Sequence, residues 1–134
     1  MRKIFQPLFI SGIFLMLASL SLQAQDAKLS GTEKKADTYV DYQDFANAEK
    51  EYKAILEKKK IATSEKDRVS IKLANAFYST RRYEEAEKYF EKAAHNSGAF
   101  TQKQEAAFLT TLIRNGKNQR AREIDNGFTK VQPL

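Results

Sequence analysis

The residue types that form disulfide bonds and metal sites are absent or scarce in this chain. Its 134 residues contain no cysteine, no tryptophan, one histidine, two prolines and five glycines. Without cysteine the chain can form neither a disulfide nor a thiolate metal site. Because His95 is the only histidine, the usual clusters of histidine ligands are excluded as well. The fold must therefore depend on its apolar core.

The scarcity of proline favours long helices. Pro7 and Pro133 are the only prolines, so no proline breaks a helix between them. Ala, Glu, Lys and Gln, which favour helix, are abundant, and no alternating pattern typical of strands is present. We therefore predict an all-α fold, in which Ser30 and Glu33 have the spacing of a capping box for the first helix. Polar and glycine clusters divide the chain into helices at 30–42, 45–60, 64–80, 83–95, 100–114 and 118–129.

The first 24 residues have the features of a secretory signal. Arg2 and Lys3 precede an uncharged apolar run of fifteen residues, 8–22, and Ala24 offers a small residue for cleavage. The run is shorter than the ~20 residues of a membrane-spanning helix. We expect removal of 1–24, so that 25–134 is an exported domain, most simply in a bacterial periplasm. Secretion and an uncleaved N-terminal anchor are the alternatives.

The charge of the chain is mildly positive. The net charge is +6, and +4 remains when Arg2 and Lys3 are removed with the signal. Acidic and basic residues alternate, which is typical of solvated helix faces. We therefore expect no nucleic-acid partner.

Two stretches of the chain repeat one pattern of large and small apolar residues. Ala86 aligns with Ala48, 38 residues earlier, and Ala121 has the same position in a weaker third unit. The pattern predicts three antiparallel helical hairpins, at about 30–60, 64–95 and 100–129, that must stack to bury their apolar faces. The other aligned pairs are Tyr39 and Phe77, Phe45 and Tyr83, and Tyr52 and Phe90.

This pattern resembles the tetratricopeptide repeat (TPR). The first unit has Lys35 in place of the leading leucine, and the degenerate third unit has Asn118 in place of the turn aromatic. The resemblance covers residues 30–129 and implies a right-handed α-solenoid that serves as a binding surface. The closest match is the second unit, with Leu73, Ala74, Phe77, Tyr83, Ala86, Phe90 and Ala93.

In this family the first helices of the repeats line a concave groove that holds peptides. The resemblance places Asn75 and Lys103 at two positions of a carboxylate clamp, but Ile71 and Ala107 stand where that clamp has Lys and Arg. Polar groups of this kind suit a peptide backbone or an acidic or C-terminal segment, and ordinary solvated residues are the alternative. The groove positions are Asp37, Asp41, Arg68, Ile71, Asn75, Tyr78, Lys103, Thr110 and Arg114, together with Val40, Ser79, Ala106 and Ile113.

No constellation of catalytic residues is visible in the sequence. Hydroxyl residues lack a partner base, and the adjacent Glu84 and Glu85 do not face each other on a helix. We expect His95 to stabilise the C-terminal end of a helix through the helix dipole. Lys58 to Lys60 should close another helix as solvated charges, with a small phosphate or anionic-lipid patch as the alternative. We therefore predict no enzymatic activity, no cofactor and no metal.

The predicted function is that of an exported interaction module that binds a peptide or protein in its groove. The alternative is an envelope assembly subunit that self-associates by end-to-end stacking, because Phe128, Val131 and Leu134 lie near the C-terminus. A monomer in solution would favour the groove, and a homo-oligomer would favour stacking.

Overall fold

The computed structural model describes residues 30–129. The predicted signal at 1–24, and Val131 and Leu134, lie outside them. The described residues form six α-helices and no strand, so the predicted all-α class is confirmed. Residues 32–129 lie in one compact unit. They are α1 (30–41), α2 (Phe45–Leu56), α3 (Thr63–Ser79), α4 (Tyr83–Ala93), α5 (Gln102–Arg114) and α6 (Asn118–Thr129), and a 3-10 turn, Ser97–Ala99, precedes α5.

Three tight turns reverse the chain with one shared backbone geometry. Gln43, Arg81 and Gly116 have φ angles of 59°, 60° and 76°, which is the left-handed conformation of a Schellman motif. They lie 38 and 35 residues apart, the spacing of the sequence repeat. In each turn the next residue donates its N–H to a carbonyl five residues earlier: Asp44 to Tyr39 (2.8 Å), Arg82 to Phe77 (2.9 Å) and Lys117 to Leu112 (2.8 Å).

Two helices end early enough to leave charged residues that were predicted at their ends outside them. The helix expected at 45–60 ends at Leu56, so Lys58 to Lys60 lie in the loop beyond it. The last core residue of this helix is Ile55, and the four residues after Leu56, 57–60, are all charged, so another turn would bury no apolar side chain. The helix expected at 83–95 ends at Ala93, its last buried residue, so His95 also lies outside a helix.

The core is continuous from α2 to α6. Consecutive helices from α2 onward pack on each other, and α3 also contacts α5. The small residues that share one repeat position, Ala48, Ala86 and Ala121, are all buried. Next to them, the rings of Phe90 and Phe108 stack with centroids 5.0 Å apart. This packing joins the second and third hairpins.

We expect Ala86→Leu to lower the free energy of unfolding by about 1–3 kcal/mol, because the larger side chain overpacks a close helix contact. Ala86 is fully buried. Ala54→Leu is the matched control, since Ala54 is exposed on α2. Urea unfolding of both variants measures the difference, and equal stability of the two would contradict the packing described here.

We expect Gly116→Ala to destabilise the protein by about 1 kcal/mol, because its φ of 76° is unfavourable for a residue with a Cβ. A Cβ at Gly116 would meet no atom within 4 Å, so crowding plays no part. The control is Gly127→Ala inside α6, where a Cβ also has room. That change should raise the melting temperature through the higher helix propensity of alanine. Shifts of the same sign in the two variants would count against the left-handed turn.

Candidate functional site

A cavity of about 690 Å³ opens between residues of α1, α3 and the first half of α5. Its lining combines apolar side chains, among them Val40, Tyr78 and Ala107, with polar ones. Most of the predicted groove positions meet here. Those that line the cavity are Asp37, Val40, Asp41, Asn75, Tyr78, Ser79, Lys103, Ala106 and Thr110.

Four predicted positions do not line this cavity. Ile71 is completely buried in the core, so it cannot contact a ligand. Arg68 is held by an acidic side chain of α1, as described below. Arg114 lines a different surface cavity, beside Asn115. Ile113 is 57% exposed but is not part of the lining.

Several lining residues were not predicted, and Lys72 and Tyr52 are the most informative of them. Lys72 lies 35 residues after Asp37, which is close to the repeat spacing. A search for opposite charges at that spacing would have indicated the pair. The other unpredicted lining residues are Ala76, Thr101, Gln104 and Ala107.

An ionic network joins α1 to α3 at one wall of the cavity. The guanidinium of Arg68 donates to both carboxylate oxygens of Glu33, at 3.0 and 2.6 Å. The Lys72 ammonium lies 2.8 Å from Glu33 Oε1 and 2.6 Å from Asp37 Oδ2. The Tyr52 hydroxyl donates to Asp37 Oδ1 at 2.5 Å. This wall is therefore fixed by the scaffold itself.

The network keeps its members in defined protonation states. Burial opposes ionisation of Glu33, but hydrogen bonds from Arg68 and Lys72 outweigh it and hold the pKa of Glu33 below its ordinary value. Burial also opposes the charge on Lys72, but bonds to Asp37 and Glu33 raise the pKa of Lys72. Burial and the bond to Asp37 raise the pKa of Tyr52. At neutral pH, Glu33 and Lys72 are thus charged, and Tyr52 keeps its proton.

A few polar groups of the lining remain available to a ligand. Asp41 and Lys103 have no ion-pair partner among residues 30–129. The Asn75 amide nitrogen donates to the Ile71 carbonyl at 3.0 Å, and its amide oxygen has no partner within the same range. Asparagine can therefore still accept a hydrogen bond from a ligand.

At the start of α5, two polar side chains of the lining already form hydrogen bonds with the backbone. Thr101 Oγ1 accepts from the Gln104 N–H at 3.4 Å, and Gln104 Oε1 accepts from the Thr101 N–H at 2.8 Å. This capping box uses the hydroxyl oxygen of Thr101 and the amide oxygen of Gln104 as acceptors. Lys103, between them in sequence, is exposed and is the charged group that this end of the cavity presents.

The lining of the cavity between α1, α3 and α5 contains as many acidic as basic residues. Asp37 and Asp41 are acidic, and Lys72 and Lys103 are basic. Because Lys72 is paired with Asp37 and Arg68 with Glu33, the groove lacks the excess of free cations on which the predicted preference for acidic segments depended.

No protein-family model, curated protein or solved structure matches this chain. Between residues 30 and 129, none of the helices combines the length and apolar character that a membrane crossing requires. Over the same range, no three His, Cys, Asp or Glu side chains converge to form a metal site.

We expect Glu33→Gln to lower the free energy of unfolding near neutral pH by about 1–3 kcal/mol, because hydrogen bonds to a buried charged group are lost. The pKa of Glu33 is lowered from 4.5, so its ionisation stabilises the fold above that pH. This contribution is lost as the pH falls through the lower pKa of the folded state.

The difference between Glu33→Gln and the parent protein should therefore shrink in acid. Urea unfolding near neutral pH and at about pH 3 measures it. Glu57→Gln is the control, because Glu57 is exposed and has no ion pair among the described residues. A difference between Glu33→Gln and parent that does not change with pH would show that the Glu33 charge does not stabilise the fold.

Proposed function

We propose that residues 30–129 form a TPR-like α-solenoid of three stacked hairpins. Three Schellman turns at spacings of 38 and 35 residues support a repeat. So does the burial of Ala48, Ala86 and Ala121 at one repeat position. The contact of α3 with α5, two helices apart, agrees with parallel stacking of the first helices in successive repeats.

We further propose that this solenoid is a non-enzymatic interaction module that binds a segment of another polypeptide. The observation that carries the proposal is the cavity between α1, α3 and α5, whose volume of about 690 Å³ suits several residues of a peptide. Val40, Tyr78 and Ala107 provide apolar contact, and Asn75 provides an acceptor for a backbone N–H. With the signal expected at 1–24, the site of action is the periplasm or another exported location.

A bound segment would be recognised mainly by its backbone and its apolar side chains. The two charges without partners, Asp41 on α1 and Lys103 on α5, are of opposite sign. They favour a cationic group on the α1 side of the ligand and an anionic group on the α5 side. This revises the expectation of an acidic or C-terminal ligand.

Selection from a displayed library of random peptides against the full chain tests the groove. We expect Ala106→Trp to reduce the affinity of selected peptides at least tenfold, because an indole in the lining excludes the ligand. Ala106 is exposed, so the fold should tolerate the change. Ala54→Trp, at an exposed site of α2, is the matched control. Equal affinity of the two variants would place binding outside the groove.

The alternative is end-to-end stacking into an assembly. The described part of the chain gives it little support, because the apolar residues of α6, Ala121, Ile124 and Phe128, are all buried. Tyr42 and Ile113 are the large hydrophobic residues exposed between 30 and 129, and neither lies on α6. Light scattering distinguishes the two functions, since stacking requires a mass that rises with protein concentration.

A further inference from the structure

The end of the molecule formed by the α2–α3 loop carries an unneutralised cluster of lysines. The cluster consists of Lys58, Lys59 and Lys60 in the loop, Lys66 on α3 and Lys92 on α4, and we call it the lysine end. None of these lysines has an ion-pair partner among residues 30–129. Elsewhere, many cations of the scaffold are paired, as Arg68, Arg82 and Arg120 are.

A second cavity brings together two of these lysines, Lys66 and Lys92, beside the ends of the loop. It has a volume of about 400 Å³, and its lining includes Leu56, Thr63, Lys66 and Lys92. Leu56 and Thr63 are the residues just before and after the loop 57–62, so the loop that carries Lys58, Lys59 and Lys60 begins and ends at this cavity. This places the loop next to Lys66 on α3 and Lys92 on α4.

The acidic residues nearby do not cancel this charge. Asp67 lines the cavity but is buried, and its Oδ2 accepts from the Asn96 amide at 3.0 Å and lies 3.4 Å from His95 Nε2. Glu65 lies 3.7 Å from Arg68. Glu57 is exposed and offsets one lysine. With Asp67 and Glu57 both subtracted from five lysines, the lysine end keeps a net charge of about +3.

We propose that the lysine end docks on a membrane surface rich in anionic lipid. All five cations are lysines, which act as point charges, and none is the arginine that bidentate recognition of a single phosphate favours. Clustered lysines are attracted to a negatively charged lipid surface by about 1 kcal/mol each, a factor of about five in affinity. A platform for stacking nucleic-acid bases requires aromatic side chains, and the loop 57–62 contains none.

The surface is distinct from the peptide groove, and the two share no lining residue. Docking there would hold the protein at a membrane while the groove stays free. The proposal stands on the lysine end alone and does not depend on what the groove binds.

Cosedimentation of the full chain with lipid vesicles tests the proposal. Vesicles with about 30 mol % phosphatidylglycerol in phosphatidylcholine are compared with pure phosphatidylcholine, at low and at high salt. The lysine-end variant is Lys58→Gln, Lys59→Gln, Lys60→Gln. The control removes the same charge elsewhere, as Lys50→Gln, Lys88→Gln, Arg122→Gln, at three exposed positions without ion pairs among the described residues. Residues 1–29 are common to all these proteins and cancel in the comparison.

We expect the parent and the control variant to bind anionic vesicles more tightly than neutral ones at low salt. The lysine-end variant should lose that preference by at least tenfold, since three contributions of about fivefold are removed. Equal losses in both variants would mean that only the net charge matters, and would overturn the proposal. So would parent protein that does not distinguish the two vesicles. A competition experiment gives a further test. The proposal would also be overturned if a single-stranded oligonucleotide displaced the protein from the vesicles at a lower concentration than free anionic lipid does.

Discussion

The burial of α3 is the constraint on which the rest of the fold depends. Helix α3 (Thr63–Ser79) has eight buried residues in seventeen, and it is covered by α2, α4 and α5 together. The chain has no cysteine that could hold these helices covalently. Each outer hairpin must therefore stay docked on the central one. The groove depends on this arrangement, because its lining comes from all three hairpins. It can form only when both outer hairpins are packed on α3.

Ion pairs between successive hairpins refine this packing. Arg82 pairs with Glu49 at 2.8 Å, and Lys117 pairs with Glu87 one repeat later. Both cations follow a left-handed turn residue, so the turn geometry places them against the preceding hairpin. Exposed pairs of this type contribute at most about 1 kcal/mol each. Their main effect is to favour one register of the hairpins over others, since a shifted register would leave the charges unpaired.

The sequence allowed the six helices, the turns and the small core residues to be predicted, because these features depend on short-range periodicity. The helix at 118–129 was placed correctly, and Ala48 and Ala86 are buried as expected. The site was harder. Arg68 was assigned to the groove and Glu33 to a capping box, yet the two side chains bind each other. The face of a helix on which a residue lies can be inferred from the local sequence pattern. Its ion-pair partner cannot, because that partner lies in a distant part of the sequence, as Glu33 does for Arg68.

This pairing limits which ligands the proposed function allows for the groove. A cation that already binds a carboxylate gains little from a second anion, because its charge is neutralised and its donors are occupied. Glu33 and Asp37 neutralise Arg68 and Lys72 in this way and take up part of their hydrogen-bond donors. In the proposed function, recognition in the groove therefore depends on shape, on apolar contact with Tyr78 and on a hydrogen bond to Asn75. Electrostatic attraction is assigned instead to the proposed docking surface around the α2–α3 loop, whose lysines have no ion-pair partner among residues 30–129.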